Sequence, residues 1–179
     1  MTAKIGASAD NTKVTIGNAA EMALEIDSVA KTIKALAPYQ MAGNGPAFAA
    51  SGLLQQFTVN APTKVSVTTE IFDTNNCYDA PNSRFTPNVP GYYQCNISLN
   101  NQVAIDTFGM YGWIAKNGNV VAQGGSTGNA AAFAFATASC VVYMNGTTDF
   151  IEGGATLTGP TGTGNGLCNN FSAALVRAA

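Results

Sequence analysis

A chain of 179 residues is long enough for one domain with a modest appendage, and its 46% apolar content removes a disordered tail from consideration. Charged residues make up only 10% and the net charge is −2, with Lys and Arg scattered, so no basic cluster exists to track phosphates and nucleic acid is excluded as a partner. There is no histidine, which excludes Ser-His and Cys-His nucleophiles.

A surface so poor in charge must be covered by Asn, Thr, Ser and Gly. Such a surface favours packing against identical copies, because little charge has to be stripped of water. No run of about 18 apolar residues occurs, so no spanning helix and no membrane insertion is expected. The segment Met1 to Asp10 has no apolar stretch of signal-peptide length. The expectation is a protein made in a cytoplasm and released by lysis.

Residues 1–17 hold a weak strand-like stretch, Lys13-Val14-Thr15-Ile16, and are expected to act as an anchoring segment that docks onto something else. From 18 to 37 the spacing predicts a helix. Met22, Ile26, Val29, Ile33 and Leu36 recur at four, three, four and three, the a/d seam of a trimeric coiled coil. Asn18 stands as N-cap with Glu21 three residues on, and Pro38 stops the helix. The seam spans fewer than three heptads and needs a second trimerising element beside it. The other reading is an amphipathic helix packed on its own domain. Residues 38–45, rich in Gly and Pro, form a linker.

After residue 45 the period falls to two. Val65, Val67, Thr69 and Ile71 alternate with Ser66, Thr68 and Glu70, and Tyr93, Cys95, Ile97 and Leu99 with Gln94, Asn96 and Ser98. Phe108 to Ala115 is apolar on both faces and is expected to be covered on both sides. Asn117-Gly118 signals a hairpin into Val120-Val121-Ala122. Ser139 to Met144 is a further strand, turning at Asn145-Gly146 into Phe150-Ile151-Glu152. A Gly/Thr-rich loop is expected over 153–166, and Phe171 to Val176 is the final strand. Many short strands between turn signals indicate an all-β jelly-roll sandwich over 46–179. Cys77, Cys95, Cys140 and Cys168 have no metal-ligand spacing and are expected to be free thiols.

The segment from Asp73 to Cys95 places Tyr78 and Phe85 before Gly91-Tyr92-Tyr93-Gln94-Cys95. This resembles the signature of the C1q-like domain, the jelly-roll trimer of the C1q and tumour necrosis factor superfamily. Pro46-Ala47-Phe48, Glu70-Ile71-Phe72-Asp73, Lys116-Asn117-Gly118, Thr148-Asp149-Phe150-Ile151 and Asn170-Phe171-Ser172-Ala173-Ala174-Leu175 agree with the family pattern in order. Val67 and Cys95 depart from it, standing where the family usually has Phe. The resemblance covers roughly 46–177 and implies a homotrimer. Asp73, Tyr78, Phe85, Gly91, Tyr93 and Phe171 are then scaffold and core residues. Gly91 permits a tight approach to the strand, and Tyr93 fills the space between the sheets.

Chemistry is nearly absent. The acids Glu70, Asp73, Asp79, Asp106, Asp149 and Glu152 are dispersed, and no pair has the context of a glycosidase site. The run Gly159 to Gly166 lacks the Lys of a phosphate loop. Asp79 or Asp106 would be calcium ligands if one were held, but no dense acidic loop supports this and no cofactor is expected. The expected protein is a non-enzymatic phage virion component on the surface of capsid or tail: a head fibre, capsid decoration protein or tail-fibre tip. Its N-terminus would bind other virion proteins. The loops Thr74 to Ser83 and 153–166, with Asn75, Asn76, Thr161 and Asn165, would meet a host-surface glycan or protein. A bacterial cell-surface or spore-coat adhesin is the alternative, ahead of a secreted animal ligand and a glycan-degrading fibre enzyme.

Overall fold

The computed structural model describes residues 4–7, 13–17, 22–27, 32–35, 45–101, 109–127, 134–160 and 162–179. The chain divides into two compact units, 1–44 and 45–179. No helix occurs among the described residues.

The first unit is an antiparallel meander of β1 (Lys4–Ala7), β2 (Lys13–Gly17), β3 (Met22–Asp27) and β4 (Thr32–Ala35), in that order. This corrects the helix expected over 18–37. Met22 and Ile26 lie on β3 and Ile33 on β4, while Val29, Leu36, Asn18 and Pro38 lie outside the described residues. The physical reason is in the register. Ile26 and Ile33, read as two a positions seven residues apart, are direct cross-strand partners. Ile5, Ile16, Leu24 and Ala35 occupy one row of partners, and Val14, Ile26 and Ile33 another. Thr15, Glu25 and Lys34 share an alternate row. The apolar set has period two within each strand, and Leu24, which the heptad leaves out, completes it.

The second unit is a two-sheet sandwich built from β5 (Ala47–Ser51), β6 (Gln55–Thr58), β7 (Thr63–Lys64), β8 (Thr69–Asp73), β9 (Tyr78–Asp79), β10 (Arg84–Phe85), β11 (Gly91–Asn101), β12 (Gly109–Lys116), β13 (Asn119–Thr127), β14 (Phe135–Met144), β15 (Ile151–Thr158) and β16 (Thr163–Ala178). One sheet runs β14-β11-β16-β5-β8, with β6 also on β16. The other runs β13-β12-β15-β10-β9, with β7 also on β15. This is the expected all-β jelly roll.

The alternation on β11 does what its pattern dictates. Tyr93, Cys95, Ile97 and Leu99 are buried against Met110, Ile114, Ile151 and Leu157 of the facing sheet. The signature aromatics form one packed cluster. Phe48 stacks on Tyr78 at 4.4 Å and on Phe85 at 4.6 Å, and meets Phe171 edge-on at 5.1 Å. The Tyr93 hydroxyl donates to the Val89 carbonyl at 2.7 Å, and the Tyr78 hydroxyl to the Val67 carbonyl at 2.5 Å. Burial pushes the Tyr93 phenol up to about 12, so it stays a neutral donor. Gly91 is required by approach rather than by φ: a Cβ there would stand 2.4 Å from the Arg177 carbonyl oxygen. Asn117 and Gly118, with φ of 51° and 80°, make the tight turn between β12 and β13.

Three expectations are corrected here. The strand expected over 65–71 is broken: β7 joins one sheet and β8 the other. Val67 is buried between them, its N–H donating to Ser83 Oγ at 2.8 Å and its carbonyl accepting from Tyr78, so side chains replace the ladder. The loop expected over 153–166 is mostly strand, with only 159–162 outside β15 and β16. Its glycines lie where bulky side chains press on the backbone: Ile97 over Gly153 and the Trp113 ring over Gly154. The turn at Asn145-Gly146 does not close a hairpin but carries the chain from β14 in one sheet to β15 in the other. On β12, Met110 and Ile114 are buried while Tyr111 and Trp113 are half-buried; Phe108 lies outside the described residues.

Candidate interaction surfaces

The outer face of β14, β11 and β16 carries apolar side chains at one end and an uncharged polar ladder beyond them. Tyr92 and Tyr143 are cross-strand partners whose rings meet at 5.5 Å. Val141 follows on β14. Val176 is the extra residue where the β11–β16 register shifts between Tyr92 and Tyr93, and it is exposed there. With Arg177, Ala178 and Ala179 these four line a groove of about 510 Å³. Lys116 Nζ lies 5.7 Å from the Tyr143 ring centre, donates to the Tyr143 carbonyl at 2.7 Å and pairs with Asp149 at 2.7 Å. The hydrogen bond from Lys116 holds the Asp149 carboxyl below its usual range. Beyond the groove, Gln94 Nε2 donates to Ser139 Oγ at 2.7 Å, and Ser139 Oγ donates to Asn96 Oδ1 at 2.9 Å.

Further exposed apolar side chains lie toward the other edge of the same sheet. β8 pairs only with β5, and its Ile71 and Phe72 are exposed. Leu53 and Leu54, in the connection from β5 to β6, are exposed as well. These eight residues were missed by sequence reasoning, which assigned Ile71 to a dry strand face. The available signal was Val141 and Tyr143 alternating on the wet side of a strand.

The two candidate binding loops fall at opposite ends of the sandwich, which corrects the expectation that they share one. Asn75 and Asn76 follow β8 at the end where the chain enters the unit: the Thr74 hydroxyl donates to the Gly45 carbonyl at 3.3 Å. Asp73 organises that loop, accepting from the Asn75 N–H at 3.2 Å and the Tyr78 N–H at 2.7 Å. Gly159, Pro160 and Gly162 sit near where β16 pairs with Thr58, and Asn60 Nδ2 donates to the Gly159 carbonyl at 2.8 Å. Along β16, Asn165 stands eight residues before Ala173, the partner of Phe48, which at about 3.3 Å per residue is roughly 26 Å. Asn165 is half-buried and paired with Gln56; Thr161 and Asp106 lie outside the described residues.

One ionic cluster crosses strands. Glu152 on β15 accepts from Arg84 Nε at 3.0 Å and Nη2 at 2.8 Å on β10, and from Lys64 Nζ on β7. Burial alone would raise the Glu152 carboxyl, but the bonds from Lys64 and Arg84 outweigh it and hold it below the usual range. The Arg84 guanidinium also lies 3.8 Å over the Phe150 ring. Among the described residues no group of three or more His, Cys, Asp or Glu is placed to hold a metal, and Asp79 is engaged with Asn82. No helix among them is long and apolar enough to cross a membrane.

Fold and surface together define a C1q/TNF-like jelly roll with exposed apolar side chains toward both edges of one sheet. No family model and no curated protein matches the chain. Solved structures do. The globular domain of zebrafish complement 1qA protein is similar over 75% of this chain and 99% of its own, with 13% identity and a TM-score of 0.57. The Eiger TNF of S. frugiperda is similar over 75% of this chain and 95% of its own, with 9% identity and a TM-score of 0.52. The PRD1 vertex protein P5 is similar over 99% of this chain and 84% of its own, with 12% identity and a TM-score of 0.59, so that alignment spans both units. Identities this low carry the fold alone.

Proposed function

We propose that the chain is a homotrimeric structural protein of a phage virion, displayed at the particle surface as a head fibre, capsid decoration or tail-fibre tip. The observation that carries the reading is the exposure of unlike apolar side chains toward both edges of one sheet. A closed three-fold ring needs a heterologous contact, in which one patch of each copy meets a different patch of the next. Tyr92, Val141, Tyr143 and Val176 on the face, against Leu53, Leu54, Ile71 and Phe72 toward the far edge, are the apolar side chains available for it. The uncharged polar ladder beside the groove can be covered at little desolvation cost.

Similarity to a vertex protein along nearly the whole chain supports the virion setting. Residues 1–44 would attach the molecule to other virion proteins. The far end of the sandwich, with Asn60, Gly159 and Gly162, would be presented outward in three copies, so that weak contacts to a host-surface glycan or protein gain effective concentration. Asn75 and Asn76, beside the point where the chain enters the sandwich, would face the particle. Native mass measurement tests the assembly and is expected to give three chains. Electron microscopy of particles lacking the gene tests the setting and is expected to show a missing projection. A stable single chain, or particles unchanged in the deletion, would overturn the respective half.

A further inference from the structure

Two thiols that the proposed function does not use stand opposite each other. Cys95 on β11 and Cys140 on β14 are direct antiparallel partners. Both belong to the alternation facing the core: Cys95 is fully buried and Cys140 is half-buried at the core margin. Direct antiparallel partners have Cα atoms about 4.5–5.5 Å apart, and a disulfide accepts about 4.4–6.8 Å. Bridging the pair therefore asks for side-chain rotation and no change of register. The other cysteines lack such a partner: Cys168 pairs with Leu99, and Cys77 lies outside the strands.

Access and reactivity agree with the geometry. β14 has β11 as its one ladder partner, with β13 of the facing sheet packed beside it, and Cys140 is the less buried of the two thiols. The facing Cys95 thiol holds the Cys140 thiol below its usual range. Its neighbour Cys140 and burial push Cys95 up, and the Cys95 thiol keeps its proton on the Tyr93 carbonyl at 3.6 Å. The thiolate thus sits on the sulfur a reagent can reach.

We propose that Cys95 and Cys140 are a modification site, at which a small-molecule disulfide such as glutathione disulfide installs a cross-strand bond between β11 and β14. The Cys140 thiolate attacks one sulfur of the reagent, forming a mixed disulfide and expelling one glutathione thiolate, which takes a proton from water. The Cys95 sulfur then attacks Cys140 Sγ in the mixed disulfide, giving up its proton to the second departing glutathione thiolate. Two cysteine thiols are oxidised and one glutathione disulfide is reduced to two thiols. The bond ties down the strand that carries Val141 and Tyr143.

The test uses the full chain, in which all four cysteines start as free thiols. The protein is incubated with glutathione disulfide at pH 8, denatured, alkylated with iodoacetamide and mapped by non-reducing peptide mass spectrometry. The expected result is loss of two alkylatable thiols and a linked Cys95–Cys140 peptide, with Cys77 and Cys168 fully alkylated and dithiothreitol restoring all four. Cys140→Ser is expected to keep its three thiols under the same treatment. Four thiols after oxidation, a persistent glutathione adduct on the wild-type chain, or linkage through Cys77 or Cys168 would overturn the assignment. Because Cys140 is only half-buried, its variant is the one least exposed to a folding defect, and the wild-type map decides without it.

Discussion

Replacing Tyr143 by Ser tests the inter-copy contact where its size can be worked out. Tyr143 is 43% exposed in the single chain. Of roughly 200 Å² for a tyrosine side chain, about 90 Å² therefore remains to be covered by a neighbour. At about 25 cal/mol/Å² that is about 2 kcal/mol per contact. A closed ring of three copies has three such contacts and loses about 6 kcal/mol. With 1.4 kcal/mol per factor of ten, the trimer–monomer dissociation constant rises by about four decades. Because that constant scales as the square of concentration, the midpoint of dissociation moves up about a hundredfold. Sedimentation or mass photometry over a dilution series reads this directly. Thr156→Ala is the control: Thr156 is half-buried on β15, which lies inside the other sheet between β12 and β10. A midpoint unchanged in Tyr143→Ser, or shifted equally in Thr156→Ala, would refute the face assignment.

Two further substitutions probe the sandwich itself. Glu152→Gln removes the carboxylate shared by Lys64 and Arg84, whose side chains are 37% and 40% exposed and so regain water, which keeps the cost to about 1 kcal/mol at neutral pH. The folded carboxyl titrates below the unfolded value of about 4.3, so its contribution is complete above that pH and is lost as pH falls through the folded value. Urea unfolding should therefore show a gap between wild type and variant at pH 7 that closes below about pH 4; an equal gap at both would contradict the assignment. Gly154→Ala places a Cβ 1.9 Å from a Trp113 ring carbon and must displace the indole, at a cost of about 1–3 kcal/mol. The chain has a single Trp, so its emission maximum should move to the red along with a lower unfolding midpoint; unchanged emission would show that the ring does not lie there.

The fold was legible where one residue type has one physical use. The rings of Phe48, Tyr78, Phe85, Tyr93 and Phe171 are spread over more than 120 residues, yet they fit only as a single cluster between two sheets. Alternation along β11 likewise had one reading. Legibility failed where the backbone is satisfied by something other than its own strand pattern. Val65 and Val67 are both buried and look like one dry face, but the hydroxyls of Ser83 and Tyr78 take the backbone bonds of Val67 and let the chain cross between sheets. Gly153 and Gly154 read as loop residues because their purpose lies on other strands, in Ile97 and Trp113.

The N-terminal unit shows a second kind of ambiguity. In a hairpin, two apolar residues brought face to face can stand at any sequence separation the turn allows, including the seven of a heptad. Ile26 and Ile33 meet this condition, so their spacing alone does not separate a helical seam from a cross-strand pair. Only Leu24, between Met22 and Ile26, breaks the tie, because a heptad seam has no place for it and a strand does.

The interaction surface was hidden for a related reason. Tyr92, Val141, Tyr143 and Val176 come from three strands separated by up to 84 residues, and each alone is an ordinary exposed hydrophobe that calls for no explanation. What turns them into a patch is the pairing that sets Tyr92 against Tyr143 and the bulge at Val176. A one-residue slip of β14 against β11 would send Val141 and Tyr143 into the core and bring Cys140 and Val142 out. The buried row of Tyr93, Cys95 and Ile97 forbids that slip. The core therefore dictates which residues the face presents to a neighbouring copy.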